Sequence, residues 1–298
     1  MTTTMSQERD EVRVEFTVRR ATDPEHLREL LSRDRAYAAY AIAQLETERF
    51  DDSECYLASS ADGQQGLVVH SRSGLGRAIF ADGDPEAVGA ILSLHPGTRF
   101  TFGSLRPQHR ETFERYFVLG RPQTMVRMVV SRQSFRTTEL AAKRLGASDI
   151  GDINRLYSLE GGPAYYKPAH LEEGAYYGAY EKGRLVAIAG THVVSDAEGV
   201  AVIGNVFTHP RYRGRALSTA VTGAATAELL GRCPLVVLTV EEGNESALAV
   251  YRRLGYAAHC TLHESPLVRK EPLGLFAAMR RGVAAWRGRA TGAEVVVV

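Results

Sequence analysis

Cysteine, lysine, tryptophan and net charge are all in short supply in this 298-residue chain. Its 3 cysteines, Cys55, Cys233 and Cys260, are odd in number and widely spaced. No CxxC pair and no histidine at zinc-ligand spacing accompanies them, which excludes a disulfide scaffold and a structural zinc site and fits a reducing compartment. The net charge is +1, with no basic block, so nucleic acid is not expected as the main partner. The 4 lysines stand against 32 arginines, read here as coding bias rather than a phosphate-binding surface. The polar start, Met1 to Asp10, lacks the apolar core of a signal peptide, and no apolar run approaches the roughly 18 residues that cross a bilayer. The expectation is a soluble, cytoplasmic protein with no metal and no membrane partner. What is present is ordinary for a globular chain: 44% apolar and 24% charged residues, at a length that suits two domains.

The two halves follow one plan. Each opens with a strand ending in arginine, an acidic helix start, and a helix with leucines or isoleucines on one face. In the first, 14–20 leads to Asp23-Pro24-Glu25 and a helix through Leu27, Leu30 and Leu31, with Asp23 as cap and Pro24 in the first turn. In the second, 141–144 leads to Ser148-Asp149 and a helix through Ile150, Ile153, Leu156 and Tyr157. Both close on Tyr-x-x-Leu-Gly, at Tyr116 to Gly120 and Tyr251 to Gly255, each preceded by a short β run (99–103 and 235–241) and followed by an alternating one. This agreement at both ends indicates a diverged internal duplication. The expected boundaries are 1–135, 136–270, and a helix with tail at 271–298. In the second half the pattern predicts a hairpin, 176–181 and 185–194, then a strand at 200–208, a helix at 217–230, a strand at 235–241 and a helix at 245–254. The predicted class is a mixed α/β (α+β) sheet, mostly antiparallel in each half and flanked by helices.

The most informative stretch is Val206 to Leu217, a strand entering a basic, glycine-bearing turn and then a helix. It is an anion cradle: N–H groups at a helix start are unpaired, the dipole is positive there, and Gly214 and Ala216 let a ligand approach the backbone. Arg211, Arg213 and Arg215 add charge-assisted donors, and Leu217, Ala220, Val221 and Ala224 give the helix an apolar face. Arg211-Tyr212-Arg213-Gly214-Arg215-Ala216 resembles the Q/R-x-x-G-x-G/A pyrophosphate loop of the GNAT superfamily of N-acetyltransferases. Asn244, Ala247, Tyr251, Gly255 and Tyr256 follow at that superfamily's N-x-x-A-x-x-x-Y-x-x-x-G-F/Y spacing, and the resemblance spans about Leu145 to Val268. It implies two GNAT-like domains, the first degenerate, and transfer of an acetyl or acyl group from acetyl-CoA to a primary amine by direct attack through a tetrahedral intermediate.

By the same resemblance, backbone near Phe207 and Thr208 meets the acetyl and pantetheine portion of acetyl-CoA, and Arg213 to Leu217, including Gly214, Arg215 and Ala216, bind the pyrophosphate. Asn244 contacts the cofactor, and Tyr251 sits beside the sulfur as proton donor to the leaving thiolate. Tyr251 also reads as an amphipathic core tyrosine. An attacking amine needs a base, and Glu241, Glu242, Asn205, His209 and Glu160 all stay open. The loop Gly161 to Pro168 reads equally as an acceptor-binding or a packing loop, and Ser73 to Gly76 as a hairpin turn. Phe276, Met279, Val283 and Trp286 predict a C-terminal helix docked on the body or on a second copy of the chain, and 293–298 a last strand or a frayed end. In the first half Asp82-Gly83-Asp84-Pro85-Glu86 stands where a diphosphate needs positive charge, which predicts lost cofactor binding there. The expected partner is a small-molecule or protein amine, with a homodimer as a candidate assembly. The competing reading is an inactive CoA-binding regulatory or interaction protein.

Overall fold

The computed structural model describes residues 14–72, 77–160, 166–290 and 292–298, with the side chains of Thr47, Glu48 and Glu160 excepted. The expected turn at Ser73 to Gly76, the segment 161–165 and the polar start lie outside these residues. The first half runs β1 (Glu15–Ala21), α1 (Pro24–Leu31), α2 (Ala39–Ala43), α3 (Thr47–Phe50), β2 (Ser53–Ser60), β3 (Gln65–Ser71), β4 (Ala78–Gly83), α4 (Pro85–Leu94), β5 (Phe100–Leu105), α5 (Arg110–Tyr116), β6 (Phe117–Leu119) and β7 (Gln123–Val130). The second runs β8 (Lys143–Arg144), α6 (Ile150–Tyr157), α7 (Pro168–Glu173), β9 (Tyr177–Glu181), β10 (Arg184–Ser195), β11 (Val200–Thr208), α8 (Leu217–Arg232), β12 (Leu235–Glu241), α9 (Glu245–Arg253), β13 (Ala257–Arg269), α10 (Leu275–Arg287) and β14 (Glu294–Val297).

Local chemistry explains most of these limits. Asp23 Oδ1 accepts from Glu25 N at 2.9 Å, so α1 starts where the Asp-Pro pair predicts, and Leu27 and Leu31 of its inner face are buried. Burying each such leucine stabilises the fold by about 1.5–3 kcal/mol. Lys182 and Gly183 both take positive φ, 49° and 76°, and close the β9–β10 hairpin with the turn that matches strand twist. The closing patterns match in sequence but not in detail. Tyr116 is the last residue of α5 and β6 follows at once, whereas Tyr251 lies inside α9 and Leu254 caps it. Gly255 then takes φ +93°, and a Cβ there would lie 1.9 Å from the Ser134 carbonyl oxygen, so only glycine lets the chain turn beneath the inter-half linker.

All strands among the described residues join one sheet, in the order β14-β1-β2-β3-β4-β5-β13-β7-β12-β11-β10-β9-β8, with β6 also pairing β13. The mixed, mostly antiparallel sheet expected of each half is present, and the two run together as one continuous sheet. The halves exchange their last strands: β7 pairs β12 and β13, and β13 pairs β5. Each exchanged strand fills the gap its counterpart would otherwise occupy, so neither half exposes an edge at the centre. Only β4–β5 and β11–β12 are parallel, once in each half, which is the duplication seen in topology. β14 pairs β1, so the C-terminal tail is a strand and covers the far edge.

One core packs α8 against the second half of the sheet, through Val221, Ala225 and Leu229. Another surrounds α4, through Val88, Ile91 and Leu94, and draws in Leu267 and Ala284 from the end of the chain. α10 rests on α4 by its small face, Ala277 and Ala284, while Arg280 and Arg281 each donate at 2.7 Å to the Ser93 and Leu94 carbonyls. Cations there satisfy the last carbonyls of α4. The stripe Phe276, Met279, Val283 and Trp286 consequently stays exposed and does not dock on the chain's own body. No helix among the described residues is long and apolar enough to cross a membrane.

Candidate functional site

The site begins where β11 and β12 part. Their parallel pairing runs from Val200–Leu235 to Ile203–Leu238 and stops. On its other side β11 pairs β10 with a shift between Gly190–Gly204 and Ile188–Phe207, a bulge that places Asn205 and Val206 opposite a single residue. Asn205 takes φ +55°, which asparagine tolerates better than most residues. The bulge bends β11 away, and from Gly204 to Thr208 its outer edge carries backbone groups with no strand beside them. Side chains hold the bend. The Tyr157 hydroxyl donates to the Asn205 carbonyl, and His192 Nε2 bonds Asn205 Oδ1 at 3.2 Å. Thr208 Oγ1 and Thr239 Oγ1 are buried around this opening with no hydrogen-bond partner among the described residues. Such orphans are rare in a folded chain and mark a place completed by something else.

Beyond Thr208 the chain turns through Pro210 to Tyr212 and reaches α8. Gly214 and Ala216 take φ +78° and +57°, and no side chain caps the helix. Alternating backbone handedness at an open helix start gathers N–H groups into a concave nest for an anion. Arg211, Arg213, Gly214, Arg215 and Ala216 are exposed there, and Leu217 is partly covered. Arg213 Nε donates to the Thr208 carbonyl at 3.2 Å, and the Arg215 guanidinium lies 5.2 Å from the Tyr212 ring centre. The cradle therefore fits a diphosphate by backbone shape and by charge. The equivalent place at α4 is shut by its own residues. Asp84 Oδ1 accepts from Glu86 N and Ala87 N at 2.9 and 3.2 Å, while Asp82 and Glu86 pair with Arg106 and Arg115.

The remaining predicted residues are only partly drawn together. Phe207 and Thr208 lie on the free length of β11 as expected. Asn244 caps α9, its Oδ1 accepting from Ala247 N at 3.1 Å and from the Ser246 hydroxyl at 3.0 Å, so a helix start accounts for this oxygen without a ligand. Tyr251 is 6% exposed within the second-half core, and burial pushes its phenol up to about 12. That makes it a poorer proton donor than a free tyrosine. Glu241 and Glu242 are exposed, and His209 Nδ1 accepts from Arg211 N at 3.1 Å, which ties it to the turn. Glu160's side chain lies outside the described residues.

Sequence reasoning missed one feature beside this opening. A cavity of about 630 Å³ opens against the parting strands at Ile203 and Thr239 and is walled from both halves. Tyr37 and Tyr40 come from the first half, with Tyr40 in α2, and Thr191 and His192 come from β10. Burial pushes the His192 imidazole below its usual range, so it stays neutral, and the Tyr40 hydroxyl bonds its Nδ1 at 2.6 Å. Arg127 of β7, 1% exposed, and Glu264 of β13 also line it. The available signal was an arginine inside the apolar run Met125 to Val130, because arginine is almost never fully buried without a task or a partner. Among the described residues no group of three or more His, Cys, Asp or Glu is placed to hold a metal.

Residues 148–256 match the family model described as acetyltransferase (GNAT) family. Among solved structures, a protein from Drosophila superposes with a TM-score of 0.60 at 16% identity, over 86% of this chain and 98% of its own. An acetyltransferase of the GNAT family from Colwellia psychrerythraea gives 0.51 at 12% identity, over 84% and 98%. A GNAT N-acetyltransferase from Kribbella flavida gives 0.51 at 19%, over 69% and 87%. At such identities these likenesses establish the fold, and two of them extend across most of both halves.

Proposed function

The second half of this chain, residues 148–256, belongs to the GNAT family of acetyltransferases, and from that premise we propose that the protein transfers an acetyl group from acetyl-CoA to a primary amine. The observation that carries the reading is the cradle: an uncapped 16-residue helix behind two left-handed residues and three exposed arginines. Acetyl-CoA supplies an activated thioester carbonyl. The chain's part is to hold and polarise it. Backbone N–H groups from Gly214 to Leu217, with Arg211, Arg213 and Arg215, take the diphosphate. The unpaired edge of β11 near Phe207 and Thr208 offers N–H donors to the carbonyl oxygen, where negative charge grows as the amine attacks.

The amine approaches from the cavity, loses its proton as the N–C bond forms, and the C–S bond breaks to release the thiolate. Neutral His192, with Nε2 bonded to Asn205 and Nδ1 to the Tyr40 hydroxyl, accepts that proton by relay, the Tyr40 hydroxyl taking it from the amine and passing its own to Nδ1. Tyr251 then hydrogen-bonds the departing sulfur rather than fully protonating it, since a buried phenol is a weaker acid than a thiol near 8.5. Asn244 keeps its cofactor contact in this reading only through atoms not spent on capping. The first half supplies cavity walls and binds no second acetyl-CoA.

The test is thiol release from acetyl-CoA over a panel of amines, beside calorimetric titration of acetyl-CoA. Saturable, amine-dependent release supports the reading. Binding without release by any amine establishes the inactive CoA-binding alternative, and absence of binding overturns both.

A further inference from the structure

Arg127 presents an unusual situation. Its side chain is 1% exposed, yet Nε and Nη1 have no hydrogen-bond partner, and it forms no salt bridge with any described residue. The Tyr40 ring lies 5.2 Å from the guanidinium carbon, and the Glu264 carboxyl acts on it through space without a direct ion pair. A buried cation without an anion in contact opposes folding. It is expected only where a ligand completes it. Arginine's planar fork is suited to a carboxylate, which it binds with two parallel hydrogen bonds.

A second charge of opposite sign faces the same space. Glu264 lines the cavity, is partly buried, forms no salt bridge, and accepts one hydrogen bond, from Ser104 Oγ at 3.1 Å. The space between and around these groups is apolar and aromatic, with Phe80, Phe102, Met125 and Tyr176 on its walls. Of the other charged residues on the walls, Arg49 pairs with Glu46, and Arg77 and Glu173 are exposed, which leaves Arg127 and Glu264 as the covered cation and anion, a pair that complements a zwitterion with an apolar body. Arg127 also stands directly opposite Thr239, the first residue of β12 past its parallel pairing with β11. The carboxylate anchor is therefore built beside the opening where acyl transfer takes place, which suits an amine close to its own carboxylate.

Resting on the acyltransfer reading above, we propose that the acceptor is an amino acid with a large apolar side chain, its carboxylate held by Arg127 and its amine received by Glu264. The strand exchange makes the site. Arg127 belongs to β7 of the first half and Glu264 to β13 of the second, so neither half holds the pair alone. Burial raises the Glu264 carboxyl above its usual range, which makes it a better acceptor for the ammonium proton than an exposed carboxylate.

The experiment is calorimetric titration of the full chain, saturated with CoA, with phenylalanine, leucine and methionine, their carboxamides, 3-phenylpropionate and phenethylamine. The free amino acids should bind about 10- to 100-fold more tightly than their carboxamides, the value of one charge-assisted bond. Arg127→Met should erase that preference to within about threefold while acetyl-CoA affinity stays unchanged. Glu264→Gln should instead reduce the preference for phenylalanine over 3-phenylpropionate. Should Arg127→Met fail to fold, Arg127→Lys, which keeps the charge and loses the fork, should shrink the carboxylate preference about tenfold. Equal binding of acids and amides, a preference that survives Arg127→Met, or no binding by any probe overturns the proposal. In that case retained acetyl-CoA binding leaves the acyltransfer reading standing, and its loss removes both.

Discussion

Gly214→Val is the sharpest perturbation of the cradle. Gly214 holds φ +78°, and a Cβ built there meets no atom within 4 Å. Crowding in the free protein is therefore not the issue, and the whole effect lies in the backbone. A non-glycine residue in the left-handed region costs roughly 1–2 kcal/mol, and a β-branched one more. The loop has two responses. It can keep its shape and carry the strain, which lowers stability, or it can leave the left-handed region and turn its N–H groups away from the diphosphate. A hydrogen bond to a charged group is worth about 1.5–3 kcal/mol, so one lost bond weakens binding roughly 10- to 100-fold. Isothermal titration with acetyl-CoA, run on wild type, Gly214→Ala and Gly214→Val, should show affinity falling in that order. Thermal unfolding of the same samples separates strain from lost contacts. A folded Gly214→Val protein whose Kd stays within about twofold of wild type refutes the cradle.

The same titration should give a stoichiometry near one per chain, because Asp84 already caps α4 while α8 is open; charge reversal at Arg213 and Arg215 should abolish it, and a value near two would show that the first half binds as well. Tyr251→Phe removes only the hydroxyl and should lower kcat by roughly 10- to 100-fold, one hydrogen bond to developing charge, with acetyl-CoA affinity intact; lost stability at full turnover would make it a core tyrosine instead. His70 is buried and hydrogen-bonded to the His95 carbonyl, and burial lowers it to about 4. Its folded value lies below the unfolded one, so the unfolded state takes the proton first as pH falls. The stability this contributes is complete above about pH 6.5 and is lost as pH drops toward 4, on the order of 3 kcal/mol in all. Urea midpoints at pH 7 and pH 4.5 should differ less in His70→Gln than in wild type, and an equal difference would contradict the assignment.

The C-terminal half of the fold and the turn that opens α8 were readable from the sequence, because the signals are local. A helix cap such as Asp23, a turn such as Lys182-Gly183, and an anion cradle such as Arg211 to Leu217 are each set by residues within a few positions of one another, where spacing determines geometry. The acidic start of α4 was legible on the same ground, since Asp84 caps its own helix. Tertiary structure alone decided the rest. The exchange of β7 and β13 depends on which strand fills a central gap, a choice between two similar alternating runs that no local pattern distinguishes. Arg127, Glu264, His192 and Tyr40 are far apart in the chain; α2 against β10 joins the last two, and the exchange brings the first two to the same cavity. Nothing near any one of them in the chain marks it as part of a site. Their chemistry comes from burial and from facing one cavity, and both are properties of the assembled sheet.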